Sequence, residues 1–563
     1  MKRTFAATFI LCAQYAFAQN PLFIPELLEG PSFDLQIQTG TTQFFPGINT
    51  PTFGINGNVL SPTLVFNKGE TVTLNVTNNL TSSTTMHWHG LHVAAMNDGG
   101  PHQIIEEEAT WSPQFEVMNN AGTFWYHPHG EGKTDLHVSK GLAGMIIVRD
   151  DVEAALELPR TYGVDDFPII VQTKSFDVLN QVQIATQADT TVMVNAIVNP
   201  YLDVPAQVVR FRLLDGSSER SYLIGFSNNM NFFQIATDGG LLEEPFETNR
   251  LRLSPGERAE ILVDLAALQG ETIYMMSYSS EFPDGIIGAE TVGMLAEPEG
   301  YSDNPLNGLD FELLQLNVAE PTANPVTTVP TSLATITPIS IDDIDVERTI
   351  TFAPLEMGPD NMVEGPFGMN GVQFNMEVIN ETVQLDDIEL WTLTNQTQVA
   401  HPFHIHDIQF LVVDFNGDNP PADQSGWKDV VLVMPMQSVS FITKFEDFAD
   451  PVTPYMYHCH LLHHEDEGMM GSFLVVDPNS VVEVDEDSGI LCYPNPANSE
   501  TTIQLEQSIG KNSAVRVFDV IGKSVEVQYE IQENRIILHT EKLSPGLYNV
   551  MLDDKTITQF IKK

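Results

Sequence analysis

Residues 458–469 read His458-Cys459-His460-Leu461-Leu462-His463-His464-Glu465-Asp466-Glu467-Gly468-Met469. On an extended strand alternate side chains leave opposite faces, so Cys459 points one way while His458 and His460 point the other. A cysteine thiolate, two imidazoles and a weak axial thioether form the ligand set of an electron-transfer copper. Cys459, His464 and Met469 supply three of those four, and one thiolate is covalently joined to two imidazoles that can hold other metal ions.

The missing ligand must come from elsewhere in the chain. Three more histidine segments are present: His87-Trp88-His89, His127-Pro128-His129 and His401-Pro402-Phe403-His404-Ile405-His406. Each H-x-H puts two imidazoles on one face of an extended segment, able to grip a metal cluster from one side. Of 15 histidines, ten occupy the motif positions of these four segments, and none lies between His137 and His401. A single pair is equally a core or surface feature, but four such segments in one chain are not. Structural zinc patterns are not met, because one cysteine stands among the histidines with no C-x-x-C partner.

These segments resemble the four copper-binding motifs of the multicopper oxidases, the family of laccases, bilirubin oxidases and bacterial copper-efflux oxidases. The resemblance covers roughly residues 30 to 477 and includes Gly141-Leu142-Ala143-Gly144, Gly426-Trp427-Lys428-Asp429 and His464-Glu465-Asp466-Glu467-Gly468-Met469-Met470. It implies four copper ions. His401, Cys459, His464 and axial Met469 would hold the type 1 ion, and His87 with His404 the type 2 ion. His89, His127, His129, His406, His458 and His460 would hold the binuclear type 3 pair. Asp98, in Asp98-Gly99-Gly100-Pro101, and Glu465, beside His464, match the family's acids near the cluster and are expected to relay protons. His92, His102, His137 and His463 match no ligand position.

Short alternating runs, such as Thr71-Val72-Thr73-Leu74-Asn75-Val76, Val208 to Leu214 and Glu389 to Asn395, end in turn residues and predict an all-β protein. The resemblance refines this to three cupredoxin-like Greek-key barrel or sandwich domains, at about 19–150, 160–320 and 345–480. The first would carry type 2 and 3 ligands, the second none, and the third type 1, 2 and 3 ligands. Residues 319–340, rich in Pro, Thr and Val, read as an extended linker. The histidine-free middle domain, with Asp238-Gly239-Gly240 and Pro255-Gly256-Glu257-Arg258, is expected to be architectural.

Residues 1–18 carry Met1-Lys2-Arg3, an apolar run from Phe5 and Ala16-Phe17-Ala18 before Gln19, the pattern of a signal peptide too short to span a bilayer. Beyond residue 490 the composition changes. Tyr493-Pro494-Asn495-Pro496, Val517 to Lys523, Leu543-Ser544-Pro545-Gly546-Leu547-Tyr548 and Ile561-Lys562-Lys563 resemble the type IX secretion sorting domain, a small β-sandwich at 490–563. Export to the cell surface or medium through the periplasm follows, with the secretion machinery as partner and no membrane span. Cys12 leaves with the signal peptide and Cys459 is needed as thiolate, so Cys492 is expected to have no disulfide partner.

Acidic residues number 76 against 25 basic, a formal net charge of −51, which disfavours nucleic acid and attracts cations. The chain is expected to act as a monomer, to use O2 as acceptor and to oxidise a small reductant. Phenols or aryl amines are preferred. Copper-efflux oxidases carry a Met- and His-rich insert before the third motif, with an Asp and a Met just upstream of it. Here that region has only Met357, Met362, Met369 and Met376, read as core gap-fillers, with Thr397 and Val399 at the Asp and Met positions. Oxidation of Cu(I) or another metal ion is the alternative, and a copper-free scaffold a third.

Overall fold

The computed structural model describes residues 19–477 except 295, and 491–563 except 506–508, 511–512, 520–522, 526 and 553–554. The longest helix among the described residues, Thr134–Ser139, has six residues. No helix among them is long and apolar enough to cross a membrane. Two compact units are present: one comprises the chain up to Phe374, Asp387–Lys444 and Tyr455–Met470, the other Asn375–Asp386, Phe445–Pro454 and Gly471–Lys563.

The first unit opens with two facing sheets. Strands Leu27–Glu29, Thr63–Asn67, Gly144–Arg149 and Gly122–Tyr126 form one; Ile48–Ile55, Ser32–Phe45, Thr71–Asn78 and Thr110–Trp111 form the other. The alternation in Thr71–Asn78 sends Val72, Leu74 and Val76 inward, all fully buried. They meet Phe33, Leu35, Ile37, Phe66 and Trp88 in one core. Each such apolar side chain stabilises by about 1.5–3 kcal/mol relative to exposure.

The middle sheets are larger, and strand Val208–Asp215 lies buried along its whole length. Val209, Phe211 and Leu213 enter one buried core with Phe167, Ile169 and Ile261. On the opposite face Arg210 and Arg212 pair with Glu153, Glu260 and Asp166, so the buried guanidinium groups are fully matched by carboxylates. Part of the stretch 319–340 lies against this region: Leu333 and Ala334 donate backbone hydrogen bonds to Glu243 and Leu242. Leu333 packs on Leu241 and Leu242.

A five-stranded sheet follows, ordered Phe367–Met369, Val346–Pro354, Ile388–Asn395, Ser438–Lys444 and Leu411–Phe415. Strand His401–Ile405 pairs with Val430–Val433 on one side and, on the other, with the end of Asp450–Cys459, in the register Phe403↔Cys459 and His404↔His458. That register brings the third and fourth histidine segments side by side. In the second unit, Glu381–Gln384 pairs in parallel with Phe473, Leu474, Val475 and Val476. The C-terminal region forms two four-stranded sheets around Ala497, Ile503, Val517, Ile536, Leu538, Val550 and Phe560.

Candidate metal centre

His87 and His127 form an antiparallel bridge through backbone hydrogen bonds of 2.8 and 3.1 Å, which aligns the first two histidine segments. Together with the His404↔His458 pairing, this places four segments around one buried space. Three triplets of ring nitrogens result, each with its atoms within 4.8 Å of one another: His87 with His89 and His404, His89 with His127 and His460, and His129 with His406 and His458. The eight rings brace each other: His89 stacks on His404 at 3.7 Å between centroids, His87 on His406 at 3.9 Å, and Trp125 covers His127 at 4.0 Å.

The outer nitrogens are held by acceptors. His87 Nδ1 lies 2.9 Å from Asp98 O, His404 Nδ1 2.8 Å from Asp429 O, His127 Nδ1 2.9 Å from Pro128 O and His458 Nδ1 3.0 Å from Cys459 O. Each anchored Nδ1–H leaves Nε2 with its lone pair turned inward. His87 Nε2, His404 Nε2 and both nitrogens of His460 are buried with no hydrogen-bond partner in the protein. An unmet buried polar atom costs about 1–3 kcal/mol, so a converging set of them fits a metal cluster.

Electrostatics keep the rings ready to bind. Burial, reinforced by neighbouring imidazoles, lowers the pKa of His89, His127, His129 and His404 well below the usual value, and that of His406 and His460 to about 3. Neutral imidazole is the metal-binding form. Asp98 touches His87 Nδ1 at 3.3 Å and His406 Nδ1 at 2.7 Å. Glu465 touches His129 Nδ1 at 3.3 Å and His458 Nδ1 at 3.2 Å. Burial would raise both carboxyl pKa values, but the imidazoles in contact, His406 and His87 for Asp98, His129 and His458 for Glu465, bring them below the usual carboxylate range.

On the opposite face of the same strand, Cys459 Sγ lies 3.4 Å from His401 Nδ1 and 3.8 Å from His464 Nδ1. Met469 is fully buried, and its backbone carbonyl accepts from Cys459 N at 3.0 Å. Phe367 contacts both rings, at 4.9 Å from His401 and 4.8 Å from His464. Burial pushes the Cys459 thiol well above its usual pKa, so a bound cation is what would make it a thiolate.

Every sequence-predicted site residue is buried, and all but Met469, which meets Cys459 through its backbone, place their side chains in one of two adjoining groups. Among the described residues, His92, His102, His137 and His463 join neither. Three further residues at the site carried no assigned role in the sequence reading. Asp429 Oδ1 lies 3.2 Å from His89 Nε2, Arg258 grips the Asp429 carboxylate, and Thr397 Oγ1 lies 2.8 Å from His401 Nε2. Arg258, in the turn Pro255-Gly256-Glu257-Arg258, therefore reaches the site. Of the four methionines read as gap-fillers, Met369 is buried, whereas Met357 is 86% exposed, because its loop does not face the core.

Profiles described as multicopper oxidase match residues 36–153 and 343–479, and one described as secretion system C-terminal sorting domain matches residues 491–563. The multicopper oxidase mco of Staphylococcus haemolyticus is 34% identical over 476 residues, 82% of this chain and 93% of that protein. The cell division protein FtsP of Escherichia coli is 31% identical over 481 residues, 83% of this chain and 94% of that protein. Among solved structures, the laccase-like multicopper oxidase CueO of Ochrobactrum sp., described with activity towards lignin model compounds and lignosulfonate, is 33% identical. It superimposes with a TM-score of 0.71, covering 81% of this chain and all of that one. With its paired β-sheets, its grouped histidines and these relatives, the chain belongs to the multicopper oxidase family.

Proposed function

We propose that this chain is an exported laccase-like oxidase. In this reading His401, Cys459, His464 and Met469 hold a type 1 copper, His87 and His404 a type 2 copper, and His89, His127, His129, His406, His458 and His460 a type 3 pair. The observation that carries the reading is the sharing of one strand: Cys459 belongs to one buried ligand group and its neighbours His458 and His460 to the other. Copper at the two sites supplies single-electron oxidation of a donor and, four electrons later, reduction of one O2 to two waters.

The protein's own residues do the rest. The Cys459 backbone and its flanking imidazoles give electrons a covalent route of one residue between the sites. Carbonyls of Asp98, Pro128, Asp429 and Cys459 fix the ring tautomers, so the metal-facing nitrogens keep their lone pairs. Reduction of O2 consumes four protons, and in this reading Asp98 and Glu465, each against two ligand rings, relay them.

Phenols or aryl amines are the favoured donors, supported by the lignin-related activity of the Ochrobactrum relative and by a hydroxyl, not a carboxylate, beside His401. A second reading, oxidation of a soft metal ion, is favoured by four exposed methionines, Met96 at 63%, Met294 at 83%, Met357 at 86% and Met436 at 64%. The Met294 backbone N–H donates to Gln398 Oε1 at 2.8 Å, and Gln398 lies three residues before His401. A copper-free scaffold is disfavoured because the ligand set is complete. The sorting domain supports delivery by the type IX route to the cell surface or medium.

Oxygen-electrode traces of the copper-loaded protein with phenols, aryl amines, Cu(I), Fe(II) and bilirubin test the reading. Fastest uptake with a phenol or amine supports it, and fastest uptake with Cu(I) moves the assignment to the second reading. A blue, copper-replete protein that consumes no oxygen with any donor would rule out the oxidase.

A further inference from the structure

The middle domain has no histidine between His137 and His401, yet its turn Pro255-Gly256-Glu257-Arg258 reaches the candidate cluster. The Arg258 guanidinium is buried and spends all five N–H groups. Nη1 donates to Asp429 Oδ1 at 2.6 Å and Nη2 to Asp429 Oδ2 at 2.6 Å, a bidentate grip. The remaining three reach backbone carbonyls: Nε to Thr123 O at 3.1 Å, Nη1 to Gly256 O at 3.0 Å and Nη2 to Asp238 O at 3.0 Å. No donor is left over, so the guanidinium has one seat.

Asp429 passes that fixity to two rings. Its Oδ1 lies 3.2 Å from His89 Nε2, and its backbone carbonyl lies 2.8 Å from His404 Nδ1. His89 differs from its neighbours here: its outer nitrogen is Nε2, and Nδ1 is the one that faces His127 Nε2 at 3.4 Å. The adjoining backbone makes room for the grip. Gly90 has φ +84°, and a Cβ there would sit 2.4 Å from Asp429 Oδ2; at Gly256, φ +85°, a Cβ would sit 2.8 Å from the His460 ring.

We infer that Arg258 is a positioning residue for the cluster: by clamping Asp429 it sets the tautomer of His89, so that this one imidazole binds through Nδ1, and it fixes His404 beside it. The histidine-free domain thereby decides the geometry of ligands it does not own. This rests on the copper assignment proposed above.

Arg258→Met and Asp429→Asn test it in the full-length, copper-loaded protein. In Asp429→Asn the shape is kept, but either orientation of the amide turns an N–H towards a donor of Arg258 or His89. Both variants are expected to keep the blue band of the type 1 site. Both should retain cluster copper about 10- to 100-fold less tightly against a chelator, the usual effect of losing such a partner, and show an altered type 2 EPR signal. Wild-type EPR and copper retention in both variants would overturn the inference. Loss of the blue band together with cluster copper would overturn it as well, since Arg258 would then be general scaffolding. A wild-type protein lacking cluster copper would instead overturn the copper assignment, and the clamp with it.

Discussion

Two groups of candidate ligands sit one residue apart on the strand ending at Cys459, and their surroundings are built in opposite ways. Among His401, Cys459, His464 and Met469, the His401 and His464 rings meet aromatic edges of Phe352 and Phe367, and His401 also meets the Thr397 hydroxyl. Around the eight clustered histidines stand the carboxylates of Asp98, Asp429 and Glu465 and the guanidinium of Arg258. The difference follows the chemistry proposed for each. An electron-transfer ion is tuned by a dry shell of low polarity, whereas several cations close together need buried negative charge, and oxygen reduction needs protons. Polar groups are placed where charge and protons must be handled.

The comparison breaks first at the residue the two groups share. Cys459→Ser should abolish turnover and the blue band while the cluster still binds copper, because a hydroxyl supplies neither the soft ligand nor the electron route. Retained blue colour, measured by absorption on a copper-quantified sample, would sink the assignment of Cys459.

Next come the carboxylates that exist on one side only. Asp98→Asn and Glu465→Gln should keep the blue band and still accept electrons at the type 1 site. Reoxidation by O2 should slow by about 10²- to 10⁴-fold, the usual scale of a general acid. Stopped-flow mixing of the reduced variants with O2 reads this directly. Unchanged reoxidation at every pH, with copper content verified, would leave these residues only the task of anchoring rings.

How much of this contrast the amino-acid order reveals depends on distance along the chain. The H-x-H pairs and Cys459 are legible because strand geometry converts a spacing of two into a shared face. Strand Val208–Asp215 is legible as a strand, but not as one buried on both faces, since Arg210 and Arg212 read as solvent-facing until their partners are known. Arg258 and Asp429 lie 171 residues apart, and no spacing rule links them. The one available signal was chemical, an arginine in a turn of a chain with only 25 basic residues. Thr397 was noticed for the acid it replaces, while its hydrogen bond to His401 depends on a turn that only the fold shows.

The axial ligand sharpens the dry side of the comparison. Met469→Leu keeps the apolar shell and removes a weak donor, so copper should stay and its reduction potential rise by an amount measurable in a redox titration. A fall in potential would exclude Met469 as the axial ligand.

The smallest effect is expected at Thr397, whose hydroxyl meets His401 Nε2 at 2.8 Å. Its hydroxyl donates towards Asn395 Oδ1 at 2.8 Å and accepts from His401 Nε2 at 2.8 Å, so it anchors the ring with Nδ1 facing Cys459. Thr397→Val keeps the volume and leaves the His401 N–H buried without a partner, at a cost of about 1–3 kcal/mol read by denaturant unfolding. Losing the acceptor also makes His401 a slightly weaker base, so the potential should rise, by less than in Met469→Leu. The blue band should remain. If the potential falls, or if the variant loses O2 reoxidation while type 1 reduction is unchanged, then Thr397 serves the cluster, and the division between a dry site and a charged one is drawn in the wrong place.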